Sequence, residues 1–233
     1  MKLLMENWRR FLNEREGSIH IFFDMDGVLV DFSGKLSEEI NKTLHEDPEE
    51  FYSGSKSKRR ALKRLQAAFK EEGRVNPVTA EELEDIISKK DAKEERTKIE
   101  KRINDYLFSL VVNNPQIWID MKVLPGAEGM VSLAEKIGNA YILTSPVDES
   151  SGEAKRQWLS THFPDIPSDK IFVTGEKGEA LQSLGIIDKG ETAILIDDRS
   201  KYIDQFEGAG GIGVPHSSKR IEKTINFLRN LMT

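Results

Sequence analysis

His20 to Phe32 reads HIFFDMDGVLVDF, with Asp24 and Asp26 directly behind the apolar run Ile21, Phe22 and Phe23. A carboxylate at the end of so apolar a run must find a partner or shift toward its protonated form. With Ile19–Phe23 as a strand, Asp24 stands at its C-terminal edge, and Gly27 permits a tight turn that keeps Asp26 near the same cavity. Two carboxylates so placed can share a divalent cation, which offsets their repulsion. Magnesium suits an all-oxygen site that also holds phosphate. Taken alone, Asp-x-Asp reads equally well as a turn with two solvated acids.

Three more short apolar runs, AYIL (140–143), IFV (171–173) and AILI (193–196), with GIGV (211–214) as a fourth, have the length and composition of buried parallel strands. Helical patterns separate or follow them at 127–137, 153–160, 201–206 and 219–231. The alternation predicts an α/β core with right-handed crossovers, whose site lies beyond the C-terminal strand ends. AYIL runs into Thr144-Ser145-Pro146, and AILI into Asp197-Asp198-Arg199. Hydroxyls at one strand end and carboxylates at two others suit a phosphate site, with a lysine facing the negative oxygens.

Composition narrows the class. The 233 residues and 38% hydrophobic content suffice for a substantial core, as one large domain or a core with an appendage. Thirty-four basic against forty acidic residues give a net charge of -6, so no global basic field favours nucleic acid or an anionic membrane. The absence of cysteine rules out disulfides, a thiolate nucleophile and cysteine-based metal sites, and fits a reducing, cytoplasmic setting. MKLLMENWRRFLNEREGS (1–18) reads as an amphipathic helix without the apolar stretch of a signal peptide, and no run reaches membrane-spanning length. Neither GxGxxG, GxxxxGK[ST] nor HExxH occurs, which disfavours a nucleotide-binding module or a zinc protease.

In DMDGVLVDF (24–32), ILTSP (142–146) and ILIDDR (194–199) the chain resembles the haloacid dehalogenase-like phosphohydrolases. FFDMDGVLVDF, VLPGA (123–127), the TSP triplet, KRQWLSTHF (155–163) and IDDR more specifically resemble the 5'(3')-deoxyribonucleotidases. The resemblance implies a Rossmann-like parallel sheet core, 1–31 and 117–233, with a helical cap, 32–116, inserted after the first strand. It implies Asp24 as a nucleophile forming an aspartyl-phosphate and Asp26 as acid, then base. The implied Mg2+ is held by Asp24, the Asp26 backbone carbonyl and one of Asp197 and Asp198. Asp198 is favoured as the direct ligand, with Asp197 orienting it or a water. Thr144 and Ser145 are expected to bind the phosphoryl group. Lys177, after IFVTG, is the preferred phosphate-binding lysine and Lys155 the competitor; the twenty residues from Lys177 to Asp197 leave room for an extra helix at 179–184.

The segment before 117 is expected to be helical over 56–72, 81–87 with Thr79 and Glu82 as a capping box, and 94–112. Phe32 is the best-placed aromatic for a substrate base, with Phe51 and Tyr52 as further candidates. Lys56 to Arg64 holds a basic cluster that reads more readily as a solvated helix face than as an anion site. The expected partner is a small phosphorylated substrate, foremost a pyrimidine deoxynucleotide. The alternatives are a phosphatase of sugar phosphates or of nucleic acid phosphate ends, and a non-catalytic metal-binding relative.

Overall fold

The computed structural model describes residues 17–91 and 94–232, so the helix expected at the N-terminus lies almost wholly outside the described residues. It divides into two compact units. Among the described residues, one comprises 17–30, 123–146 and 159–232, and the other 31–91, 94–122 and 147–158.

The first unit is built on a five-stranded parallel sheet of β1 (Ile19–Phe23), β2 (Asn139–Thr144), β3 (Ile171–Val173), β4 (Thr192–Asp197) and β5 (Ile212–Pro215), ordered β3-β2-β1-β4-β5. Every residue of β4 is buried, as are His20 to Phe23 of β1, because helices cover both faces of a parallel sheet. On one face Phe22, Leu143 and Leu195 pack with Leu181, Ile203 and Phe206 from the helices Lys177–Leu184 and Ser200–Gly208. Fully burying a side chain such as Phe22 contributes about 1.5–3 kcal/mol. The helix Ala127–Ile137 packs on β2 and on the helix Ile221–Leu231.

Register places the chemistry. Phe23 pairs with Ile196, so Asp24 and Asp197 emerge side by side, and the Asp24 N–H donates to the Ile196 carbonyl at 2.9 Å. The chain steps outward from β1 through β2 to β3, then returns to the other side of β1 as β4. The gap between β1 and β4 is therefore the topological switch point, where parallel sheets leave a crevice at their C-terminal ends.

The second unit is helical. Phe32–Thr43 was not foreseen as a helix; its apolar face is sparse, with Leu36 and Ile40 as its buried hydrophobics. Asp31 caps it, accepting the Gly34 N–H at 2.9 Å. The helix Lys56–Glu71 buries Leu62, Leu65 and Phe69 and packs against Lys98–Val111, which buries Ile103, Tyr106 and Leu110. That second helix starts later than the apolar period suggests, because Thr97 and Glu100 form a reciprocal capping box. Thr79 accepts the Glu82 N–H at 3.1 Å, and its helix runs Ala80–Asp91.

At the end of β5, His216 donates its backbone N–H to the Asp197 carbonyl at 2.8 Å and sets its ring Nδ1 2.9 Å from the Thr224 hydroxyl. Burial lowers its pKa to about 4, so the ring folds neutral. The unfolded chain takes up that proton near pH 6.5, hence stability is intact above 6.5 and falls as pH drops toward 4, by about 3 kcal/mol for this group. Urea titrations at pH 7 and pH 4.5 should show this loss, and His216→Gln should flatten it even though the variant starts less stable. An identical acid slope in both proteins would assign the loss to other groups.

Candidate active site

Lys177 opens its helix with its ammonium fully buried, 2.6 Å from Asp24 Oδ1 and 2.6 Å from Asp197 Oδ2. Burial alone would lower the Lys177 pKa, but the charges and hydrogen bonds of the two carboxylates outweigh it and the net shift is upward. Its backbone N–H donates to Gln205 Oε1 at 3.1 Å. Asp197 is engaged at both oxygens, since Oδ1 accepts the Arg199 N–H at 2.9 Å. Burial, then the Asp24 charge, raises the Asp197 pKa to about 6, with Lys177 pulling against both.

Asp198 completes the cluster. One carboxylate oxygen each from Asp24, Asp197 and Asp198 lie within 4.8 Å of one another. The Asp198 pKa is raised well above the usual range, by loss of water around the carboxyl and by like charge on Asp24, Asp197 and Asp26. The residue as a whole is exposed, but its carboxyl group turns inward against Gly27 and toward Asp24 and Asp197. Three convergent carboxylates with one lysine among them, two carboxyl pKa values raised and every donor an oxygen, fit a hard divalent cation.

Gly27 makes the approach of Asp198 possible. Its φ is +72°, and a Cβ there would press on the Asp198 carboxylate, with Cγ only 2.9 Å away. Asp26 is half-buried in the same turn, where the Gly27 N–H donates to Val30 O at 3.1 Å. At the end of β2, Thr144 is fully buried and Ser145 donates its hydroxyl to the Thr174 carbonyl at 3.2 Å.

Of the two candidate lysines, Lys177 joins the carboxylates. Lys155 belongs to the helical unit, where its buried ammonium sits 4.5 Å from the centre of the Trp118 ring. Phe32 is in that unit too, stacked on Trp118 at 5.3 Å. Tyr52 hydrogen-bonds Tyr106 at 2.8 Å, and Tyr106 bonds Thr43 at 2.6 Å, so its hydroxyl belongs to the interior of the helical unit; Phe51 is 42% exposed. Within the basic cluster, Glu49 pairs with both Arg59 and Lys63. Tyr202, which sequence reading passed over, has its ring centre 4.5 Å from the Lys177 ammonium. The available signal was an aromatic one turn beyond Asp-Asp-Arg.

Residues 57–229 match the family described as 5' nucleotidase, deoxy (pyrimidine), cytosolic type C protein. The chain is a phosphatase of the haloacid dehalogenase type, and it belongs to that nucleotidase family. The search of curated proteins found no match. Among solved structures the chain is similar to a haloacid dehalogenase-like hydrolase of Xanthomonas campestris, at 17% identity and TM-score 0.47, covering 94% of this chain and 93% of that one. It is also similar to a haloacid dehalogenase-superfamily hydrolase of Geobacter sulfurreducens, at 12% identity, 91% and 99% coverage and TM-score 0.47. A hydrolase of Streptococcus pneumoniae gives 10% identity, 90% and 98% coverage and TM-score 0.48. Among the described residues no helix is long and apolar enough to cross a membrane.

Gly27→Ala should cost about 1–3 kcal/mol from the left-handed backbone and the displaced carboxylate together. It should also weaken Mg2+ binding in a calorimetric titration at least tenfold. Unchanged stability and affinity would show that Asp198 does not depend on the missing Cβ.

Proposed function

We propose that the protein hydrolyses phosphomonoesters of nucleosides, foremost pyrimidine deoxynucleotides, in the cytoplasm and with Mg2+ as cofactor. The observation that carries the reaction is the buried Lys177 ammonium between Asp24 and Asp197, with Asp198 beside them. The nucleotide preference and the location rest on the family description, and the location also on a cysteine-free sequence. The helical unit is read as a cap over the substrate.

Asp24, Asp198 and the Asp26 carbonyl would hold the cation, while Asp197, whose two oxygens are occupied by Lys177 and the Arg199 N–H, orients the group. The cation supplies charge neutralisation to the phosphoryl oxygens. Asp24 Oδ1 is held by Lys177 and Oδ2 takes no hydrogen bond among the described residues, which suits Oδ2 to attack phosphorus. The new Oδ2–P bond forms as the bond from phosphorus to the nucleoside oxygen breaks, and Asp26 donates a proton to that leaving oxygen. Asp26 then takes a proton from water, whose oxygen attacks phosphorus. The Asp24–phosphorus bond breaks and inorganic phosphate leaves. Lys177 and the hydroxyl of Thr144 would bind the equatorial oxygens, where charge is spread in the transition state, and the hydroxyl of Ser145 would join them by turning from the Thr174 carbonyl. Phe32 is proposed to contact the base and Lys155 remains a second phosphate-binding candidate.

Acid quenching during turnover should trap a hydroxylamine-labile phosphoenzyme on the wild type. Asp24→Asn should abolish it, and Asp26→Asn should retain it while slowing its hydrolysis by about 10²–10⁴-fold. The same adduct on Asp24→Asn would overturn the assignment of the nucleophile. In a panel of 5' and 3' nucleotides, sugar phosphates and phosphorylated oligonucleotides, small deoxynucleotides should give the highest kcat/KM. A preference for sugar phosphates or oligonucleotide ends would overturn the substrate class while leaving the chemistry intact.

A further inference from the structure

The Lys177 ammonium carries three N–H donors. Two are used on Asp24 and Asp197, and no further hydrogen-bond acceptor meets it among the described residues. What lies beside it is the ring of Tyr202, 4.5 Å from Nζ to the ring centre, and only 6% of that residue is exposed. The same ring is approached by the Arg199 guanidinium at 5.0 Å and the Lys201 ammonium at 4.3 Å. A neutral aromatic therefore stands where three cations converge, and its electron-rich face attracts each of them.

The local sequence builds this arrangement. The helix Ser200–Gly208 begins immediately after Asp197-Asp198-Arg199, and the Tyr202 N–H closes back on the Arg199 carbonyl at 3.1 Å. Tyr202 thus shares the buried side of its first turn with Ile203, and Phe206 continues that side one turn on. The helix bearing Lys177 lies close against it. A Cβ on Gly178 would come within 2.6 Å of the Gln205 carbonyl oxygen, and Gln205 also accepts the Lys177 backbone N–H. One short helix fixes Lys177 from its backbone end and, through Tyr202, from its ammonium end.

We propose that Tyr202 is a positioning residue whose ring face sets the place of the Lys177 ammonium between Asp24 and Asp197, and through it the charge that receives the transferring phosphoryl group. The proposal rests on the phosphatase reading for its kinetic consequence but not for the geometry. A carboxylate in the ring's place would take the third proton and set a third negative charge against one ammonium, and an aliphatic side chain would leave it against an apolar wall with one proton unsupported. The aromatic holds the charge in place without taking the third proton.

In the full-length protein, Tyr202→Phe should keep kcat within about twofold, whereas Tyr202→Leu should lower kcat at least tenfold with a smaller change in KM. Phenylalanines of increasing fluorination at 202 preserve shape while weakening the negative face, so log kcat should fall stepwise with each fluorine. Packing alone would leave that series flat, and a flat series overturns the proposal. Lysine-selective ¹⁵N-detected NMR supplies a readout apart from activity. The hydrogen-bond couplings from Lys177 Nζ to the Asp24 and Asp197 carboxylates should persist in Tyr202→Phe and weaken in Tyr202→Leu, and couplings unchanged in Leu would overturn the proposal. A wild type that releases no phosphate would instead contradict the phosphatase reading, and the NMR comparison would still decide the role of Tyr202.

Discussion

Two carboxylates emerging side by side from adjacent buried strands repel each other strongly, and the first unit can hold them only because the Lys177 ammonium sits between them. At 2.6 Å to each, it forms a buried triad in which the loss of any member leaves charge without compensation. Breaking such a pair costs about 3–5 kcal/mol, far more than an exposed ion pair contributes. The triad also leaves a deficit. One ammonium balances two acids, and Asp198 stands beside them with no lysine of its own among the described residues. A divalent cation is the natural counter-charge for that remainder, which is why the arrangement suits phosphoryl transfer better than it suits stability.

Everything that brings these groups together follows from the sheet. A parallel order with β1 in the middle puts the ends of β1 and β4 at the switch point, and the one-residue step beyond the Phe23–Ile196 pair aligns Asp24 with Asp197. Small residues then allow closeness at two places. Gly27 admits the Asp198 carboxylate, and Gly178 admits the helix that carries Gln205 and Tyr202. The site is therefore fixed by rigid elements, with the turn after β1 supplying Asp26.

Much of this was legible in the sequence because buried parallel strands are short, continuous and apolar. The runs at 19–23 and 171–173 became strands to the residue, and those at 140–143, 193–196 and 211–214 did so within one residue at each end. The polar residues that end them marked the site. Helix boundaries were less legible where caps rather than apolar period decide them, as at Thr97, and at Glu149–His162, whose start is set by Asp148 accepting the Ser151 N–H at 2.8 Å. The helices Phe32–Thr43, Pro48–Phe51 and Pro115–Ile119 bury too few apolar side chains to give a hydrophobic period, and half of the buried positions in the first are the polar Ser33 and Thr43. Tyr202 escaped notice because an aromatic at helical spacing reads as ordinary core; only its distance to Lys177 distinguishes it.

Phosphate release from a pyrimidine deoxynucleotide, followed with excess EDTA and after Mg2+ is restored, tests most directly whether the Asp24, Asp197 and Asp198 cluster works as a cation-dependent phosphatase centre. We expect no turnover with the chelator, recovery on adding Mg2+, and no recovery in Asp198→Asn at the same Mg2+ concentration. Equal rates with and without the chelator, or a wild-type response from Asp198→Asn, would contradict it.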